Sequence, residues 1–135
     1  MIAAVRPRVL LADDYDGLLQ AWRRLLEPRY DVVGAVRDGR ALVDAAVALK
    51  PDVIVADLTM PGMSGLDACR SIKHSLPKTK VVLVTAGGDE HVARVAFRAG
   101  ASGFVLKHAA SEDLPVAIER ALTGNTYSTR TGSTR

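Results

Sequence analysis

Cysteine is nearly missing from this sequence. Cys69 is the only one in 135 residues, so no disulfide can form within the chain. It falls in a predicted helix between Ala68 and Arg70, with no activating neighbour, and reads as a small packing residue. Aromatic residues make up only 4% of the chain, and no Lys/Arg cluster interleaves with them. Direct nucleic-acid binding by this chain is therefore not expected. No apolar run approaches the roughly 20 residues that span a bilayer, so no membrane role is expected. Neither G-x-x-x-x-G-K-[ST] nor G-x-G-x-x-G occurs, which disfavours a nucleotide-binding loop. Met1 to Arg8 holds no signal-peptide apolar stretch, and a cytoplasmic location is the expectation. There is no internal repeat.

What is present is the mixture of a soluble globular chain, 48% apolar and 24% charged, long enough to bury a core unaided. The net charge of +3 is a property of the ends, where Arg6, Arg8, Arg130 and Arg135 have no acidic companions. Residues 9–124 carry 14 basic and 15 acidic side chains.

Along the chain, short apolar runs alternate with helical periodicity. Arg8–Ala12, Tyr30–Val36, Val53–Ala56, Lys80–Val84 and Ser102–Leu106 read as five strands. Between them, Leu18, Leu19, Trp22, Leu25 and Leu26 recur at helical spacing, and Pro28 closes that helix. Ala41–Lys50, Leu66–Leu76 and Asp89–Ala99 read as further helices, stopped by Pro51, Pro77 and Gly100. Met60 to Gly65 can only be a tightly turning loop. A last helix runs to about Thr123, with Ser111 as its expected N-cap, Glu112 and Asp113 in its first turn, and Pro115 in mild conflict with it. Residues 125–135 are polar and aperiodic, the expected tail or start of a linker after a domain ending at residue 124. Five strand–helix units predict a parallel sheet covered by helices on both faces, an α/β fold.

The strands end in chemistry. The first stops at Asp13-Asp14, the third at Asp57, the fourth at Thr85 and the fifth at Lys107. Ligands of open α/β sheets bind outside the carboxyl ends of the strands, so three carboxylates, a hydroxyl and an ammonium should converge. Two such carboxylates about 4 Å apart repel by roughly 4 kcal/mol at an effective dielectric near 20. Either some pKa values rise or a cation binds, and hard oxygen ligands favour Mg²⁺ or a similar ion. Asp57 could then act as a nucleophile toward a phosphoryl group, with Thr85 and Lys107 holding its remaining oxygens. Taken singly, Asp13 could be a helix cap, Thr85 an ordinary strand end and Lys107 a solvated charge. Their joint occurrence at successive strand ends is much harder to explain structurally.

These residues, with Leu10 to Asp14, Pro51 to Gly65, Leu83 to Ala86 and Gly100 to Lys107, resemble a receiver domain of two-component response regulators, the CheY-like family. The likeness covers about residues 7–124. It implies a flavodoxin-like doubly wound (βα)5 sandwich whose five-stranded parallel sheet has the order 2-1-3-4-5. It implies Asp57 as phosphoacceptor, with Mg²⁺ (or Mn²⁺) held by Asp14 directly, by Asp13 through water, by Asp57 and by the Thr59 carbonyl. Thr85 would be the switch hydroxyl, Phe104 the switch aromatic, and Lys107 the partner of a phosphoryl oxygen. His108 follows Lys107 where many receivers have a cis proline, so a trans peptide is expected. His74, His91 and His108 are too scattered for a metal site.

Asp38-Gly39, Ala48 to Asp52, Gly100 to Phe104 and Gly124 to Tyr127 are similar to receivers of the NarL/LuxR type. That likeness implies a sensor histidine kinase as phosphoryl donor and transcription regulation through a DNA-binding domain. In a phosphorylation switch, the face formed by the helix at 89–99, strand five and the last helix is where a homodimer or an output domain is expected to dock. The expectation is an excised receiver, with a single-domain regulator acting through protein contacts as the alternative. A phosphatase of the haloacid-dehalogenase type is a remote second reading, because Thr59 stands where its second Asp belongs. A receiver that has lost phosphorylation is disfavoured because all five polar positions are filled. In either leading case the chain is expected to catalyse only its own phosphorylation and dephosphorylation.

Overall fold

The computed structural model describes residues 5–129. Residues 1–4 and 130–135, including Arg130 and Arg135 of the expected tail, lie outside the described residues. The order of elements is β1 (Arg8–Ala12), α1 (Asp16–Leu26), β2 (Asp31–Val36), α2 (Gly39–Leu49), β3 (Val53–Asp57), α3 (Gly65–Ser75), β4 (Lys80–Thr85), α4 (Glu90–Arg98), β5 (Gly103–Leu106), α5 (Ala110–Leu122) and β6 (Tyr127–Ser128). All strand pairs are parallel, in the order β2-β1-β3-β4-β5-β6. The expected doubly wound architecture and its 2-1-3-4-5 order are thus present, with one strand added.

Alternation along the strands explains the layers. Leu10, Ala12, Ile54, Ala56, Leu83 and Phe104 point to one face and pack with Leu42, Ala46, Cys69, Ile72, Ala93 and Ala96 of α2, α3 and α4. Val9, Leu11, Val53, Val55, Val82, Val84 and Val105 point to the other and pack with Leu19, Trp22 and Leu26 of α1 and Leu114, Ala117 and Ile118 of α5. Strands covered on both faces need continuous apolar sequence, which is why Val53–Ala56 and Val81–Val84 are fully buried. The chain leaves β1 toward β2 and returns to β3 on its other side. The carboxyl ends of β1 and β3 therefore flank a topological switch point.

Side-chain caps fix three helix starts. Asp38 accepts from Ala41 N, Ser64 from Asp67 N, and Asp89 from Val92 N. The last helix departs from expectation. A short 3₁₀ turn, Lys107–Ala109, starts the winding directly after β5, so α5 begins at Ala110 and Ser111 lies inside it rather than capping it. Pro115 is accommodated within α5. No described peptide bond is cis, so Lys107–His108 is trans as expected.

The second departure is β6. The sequence assigns residues 127 and 128 to a polar tail or the start of a linker, yet Tyr127 pairs with Gly103 and Ser128 with Phe104. Without β6, β5 would be an edge strand with unpaired backbone groups, and such an edge is a template for any nearby strand. The strand-five part of the expected dimer face is therefore bordered by β6 within the same chain. No helix among the described residues is long and apolar enough to cross a membrane.

Cys69 is 1% exposed and its thiol donates to the Ala99 carbonyl at 3.6 Å. Burial pushes the thiol up to about 11 from an ordinary 9.0, against a smaller pull from Lys73 and Arg70. The folded state thus holds this proton more tightly than the unfolded chain. Stability should fall as pH rises through that window, by about 2–3 kcal/mol at its upper end. At pH 8 a thiol reagent should label the native chain only as fast as it opens. Labelling at the rate of a free thiol would contradict this packing.

Candidate functional site

Four strand ends deliver the site. β1 ends one residue before Asp13, β3 ends on Asp57, β4 ends on Thr85, and Lys107 follows β5 directly. Carboxylate oxygens of Asp13, Asp14 and Asp57 lie within 4.8 Å of one another. The Lys107 ammonium sits 3.0 Å from Asp13 Oδ1 and donates to Asp57 Oδ2 at 3.0 Å. The sequence-derived cluster of three acids and one ammonium is therefore a single constellation in space.

The two adjacent aspartates are not equivalent. Asp13 is 0% exposed and Asp14 faces solvent. Asp13 is locked, its backbone N–H donating to the Val36 carbonyl at 3.1 Å and its Oδ2 accepting from Tyr15 N at 2.9 Å. Its Oδ1 has the Lys107 ammonium nearby but no hydrogen bond of good geometry. Asp57 is 5% exposed, and its Oδ1 accepts from Thr59 N at 3.1 Å. Thr85 is buried, and its hydroxyl donates to the Gly87 carbonyl at 2.9 Å. Phe104 is wholly buried. A Cβ on Gly88 would stand 3.0 Å from the tip of its ring and 3.4 Å from Thr85 Cγ2, so ring and threonine both lie beneath the loop that carries Gly88. His74, His91 and His108 lie exposed, and none joins the cluster.

Electrostatics follow from this packing. Burial raises the Asp57 carboxyl above the ordinary carboxylate value; the Thr59 N–H opposes the rise, Asp13 adds to it, and Lys107 opposes it. Burial alone would lower the Lys107 ammonium, but the adjacent carboxylates of Asp13 and Asp57 outweigh that and raise it. Three acids against one ammonium leave an excess of negative charge, and a buried carboxylate oxygen lacks a bond. All the donors are hard oxygens, and one of the acids is open to water. That set suits a small divalent cation that keeps part of its hydration shell.

Two neighbours escaped the sequence reading. Arg37 follows β2 directly and donates to the Asp14 carbonyl at 3.3 Å, bringing a second cation to the rim. The signal was available, since it too is a polar residue at a strand end. Gly65 opens α3 against β3, its N–H donating to the Leu58 carbonyl at 2.9 Å, and a Cβ there would stand 2.0 Å from the Asp57 carbonyl oxygen. Only glycine lets α3 start this close to the end of β3. The sequence marked Gly65 as a turn residue, and the partner it must clear is eight positions away.

Known proteins share this sequence pattern and fold. A family model described as the response regulator receiver domain matches residues 9–119. The transcriptional regulatory protein YxjL of Bacillus subtilis is 38% identical over 119 residues, covering 87% of this chain and 55% of that protein. The oxygen regulatory protein NreC of Staphylococcus haemolyticus is 35% identical over 123 residues, covering 89% of this chain and 57% of that protein. The chain thus spans about half the length of these curated relatives. Among solved structures, a LuxR-family two-component response regulator from Aurantimonas sp. SI85-9A1 superposes with a TM-score of 0.86 at 34% identity, over 90% of this chain and 89% of that one.

Proposed function

The chain belongs to the response regulator receiver family, in its NarL/LuxR-type branch, and on that premise we propose that it is a phosphorylation switch whose acceptor is Asp57. Receiver domains bind Mg²⁺ at an acidic cluster, and this chain has such a cluster in Asp13, Asp14 and Asp57. Here those three side chains and the Thr59 carbonyl would hold Mg²⁺ or Mn²⁺. The ion supplies neutralisation of the phosphoryl oxygens and their orientation for in-line transfer.

The chain's own groups carry the rest. An Asp57 carboxylate oxygen attacks the phosphorus of a phosphohistidine on a sensor kinase. The P–O bond of an acyl phosphate forms as the P–N bond breaks, and the imidazole nitrogen keeps the electron pair and takes a proton. Lys107, already beside Asp57, pairs with a phosphoryl oxygen and offsets the added charge. The Thr85 hydroxyl exchanges the Gly87 carbonyl for another phosphoryl oxygen. Phe104, packed against the same loop, follows that movement or holds it in place. The altered face of α4, β5 and α5 then favours a second copy or an output domain, and the output is transcription regulation by a DNA-binding domain of the full regulator. The setting is cytoplasmic. Catalysis is confined to the chain's own phosphorylation and dephosphorylation.

One observation supports this above the others: the buried Asp57 carboxylate lies 3.0 Å from Lys107 and within reach of two further acids. Incubation with acetyl phosphate and Mg²⁺ should raise the intact mass by one phosphoryl group. Asp57→Asn, or excess chelator, should abolish the gain. A wild-type chain whose mass stays unchanged under these conditions would rule the proposal out.

A further inference from the structure

The backbone from Tyr127 to Thr129 is fastened to β5 more firmly than a two-residue strand requires. Tyr127 N donates to the Ser102 carbonyl at 3.0 Å and Thr129 N to the Phe104 carbonyl at 2.8 Å. The Thr129 side chain adds two bonds. Its hydroxyl accepts from Leu106 N at 3.3 Å and donates to Asp113 Oδ2 on α5 at 2.6 Å. Thr129 is 8% exposed, so these bonds form largely out of water. Arg120, also on α5, lies over the Tyr127 ring at 5.8 Å.

Leu106 is the residue that matters. It pairs in register with Thr85 across the sheet, and Lys107 follows it directly. Its amide is thus held from outside at the point where β5 delivers Lys107 to Asp57. We infer that Thr129 is a positioning residue for the phosphorylation site, a hydroxyl bridge from α5 to the end of β5 that couples the state of Asp57 to the strand from which the chain continues; this rests on the Asp57 reading above. Lys107 must shift when its carboxylate partner becomes an acyl phosphate. The Leu106 amide moves with it, and the bridge tightens or breaks. The two sites then share an equilibrium coupling free energy, so loss of the bridge is also felt at the end of β5 that presents Lys107.

The test follows phosphorylation by acetyl phosphate and Mg²⁺ in the 135-residue chain, using intact mass and amide hydrogen exchange. In the wild type, phosphorylation should change exchange at Leu106 and Thr129 by about fivefold or more, the lower range of allosteric coupling. Thr129→Val keeps the shape and removes the bridge; by loosening the strand end that presents Lys107 to Asp57, it should slow phosphorylation severalfold. Thr129→Ser restores the hydroxyl and should restore the rate, which a merely structural role would not require. If exchange at both amides is the same with and without the phosphoryl group, the inference fails, whatever the variants do, and this arm is independent of how well Thr129→Val folds. A Thr129→Val chain that folds and phosphorylates at the wild-type rate also refutes it. A wild-type chain that takes up no phosphoryl group overturns both this inference and the Asp57 reading. Uptake without any effect at Thr129 overturns this inference alone.

Discussion

Replacing Lys107 by methionine should lower the rate of Asp57 phosphorylation by about 100-fold or more, the loss typical of removing one preorganised donor from developing charge. Lys107 is 25% exposed at its side chain and already lies 3.0 Å from both Asp13 and Asp57. Its ammonium already stands at the reacting carboxylate when the phosphoryl group arrives, so only a small shift from carboxylate to phosphoryl oxygen remains. The same substitution should have an opposite effect on the metal. With the ammonium gone, three carboxylates face one another uncompensated, and Mg²⁺ affinity should rise by about tenfold because a repelling charge has left. The metal-free fold should lose about 2 kcal/mol, less than for a fully buried pair because water reaches the ammonium. Time-resolved intact mass, a calorimetric Mg²⁺ titration and thermal melts in chelator would check the three parts. The combination of slower chemistry with tighter metal is the diagnostic result. Phosphorylation at the wild-type rate would remove Lys107 from the mechanism.

The division between what the sequence revealed and what it concealed follows the range of the forces involved. Val53–Asp57 and Lys80–Thr85 were readable because full burial of a parallel strand leaves a local apolar run. Asp57, Thr85 and Lys107 were readable because topology alone sends strand ends to one rim. The burial of Asp13 beside an exposed Asp14 was not, since adjacent identical residues are separated only by which one the fold buries. Ser111 was misread for a related reason: a good capping residue is a local signal, but the 3₁₀ turn at Lys107–Ala109 had already started the winding. β6 left no signal at all, because two residues carry no periodicity and their place is set by the free edge of β5, more than 20 positions earlier. The close approach of Gly65 to the Asp57 carbonyl is likewise a contact that no window around Gly65 contains.

Asp57→Asn should stabilise the metal-free protein even as it abolishes phosphorylation. Burial, with Asp13 beside it, raises the Asp57 carboxyl above its ordinary value of 3.8, and Lys107 and the Thr59 N–H do not fully offset this. The folded state therefore holds the proton more tightly than the unfolded chain, and stability falls as pH rises from the ordinary carboxylate range through the folded value. Above that window the whole penalty is present; below about pH 4 it vanishes. Asparagine has no such ionisation, and Lys107 keeps Asp13 as its partner in the variant. In chelator near neutral pH the variant should be more stable by about 1 kcal/mol, a melting temperature higher by about 4 °C for a chain of this size. The advantage should shrink to nothing as pH is lowered through the carboxylate range. Mg²⁺ should then reverse the order: at about 100 times its dissociation constant it adds about 2.7 kcal/mol to the wild type, and less to a chain with one carboxylate fewer. A variant that melts below the wild type in chelator at neutral pH, or a wild type indifferent to Mg²⁺, would show that the acids are not in conflict. The strain that makes this pocket ready for a cation and a phosphoryl group would then have to be sought elsewhere.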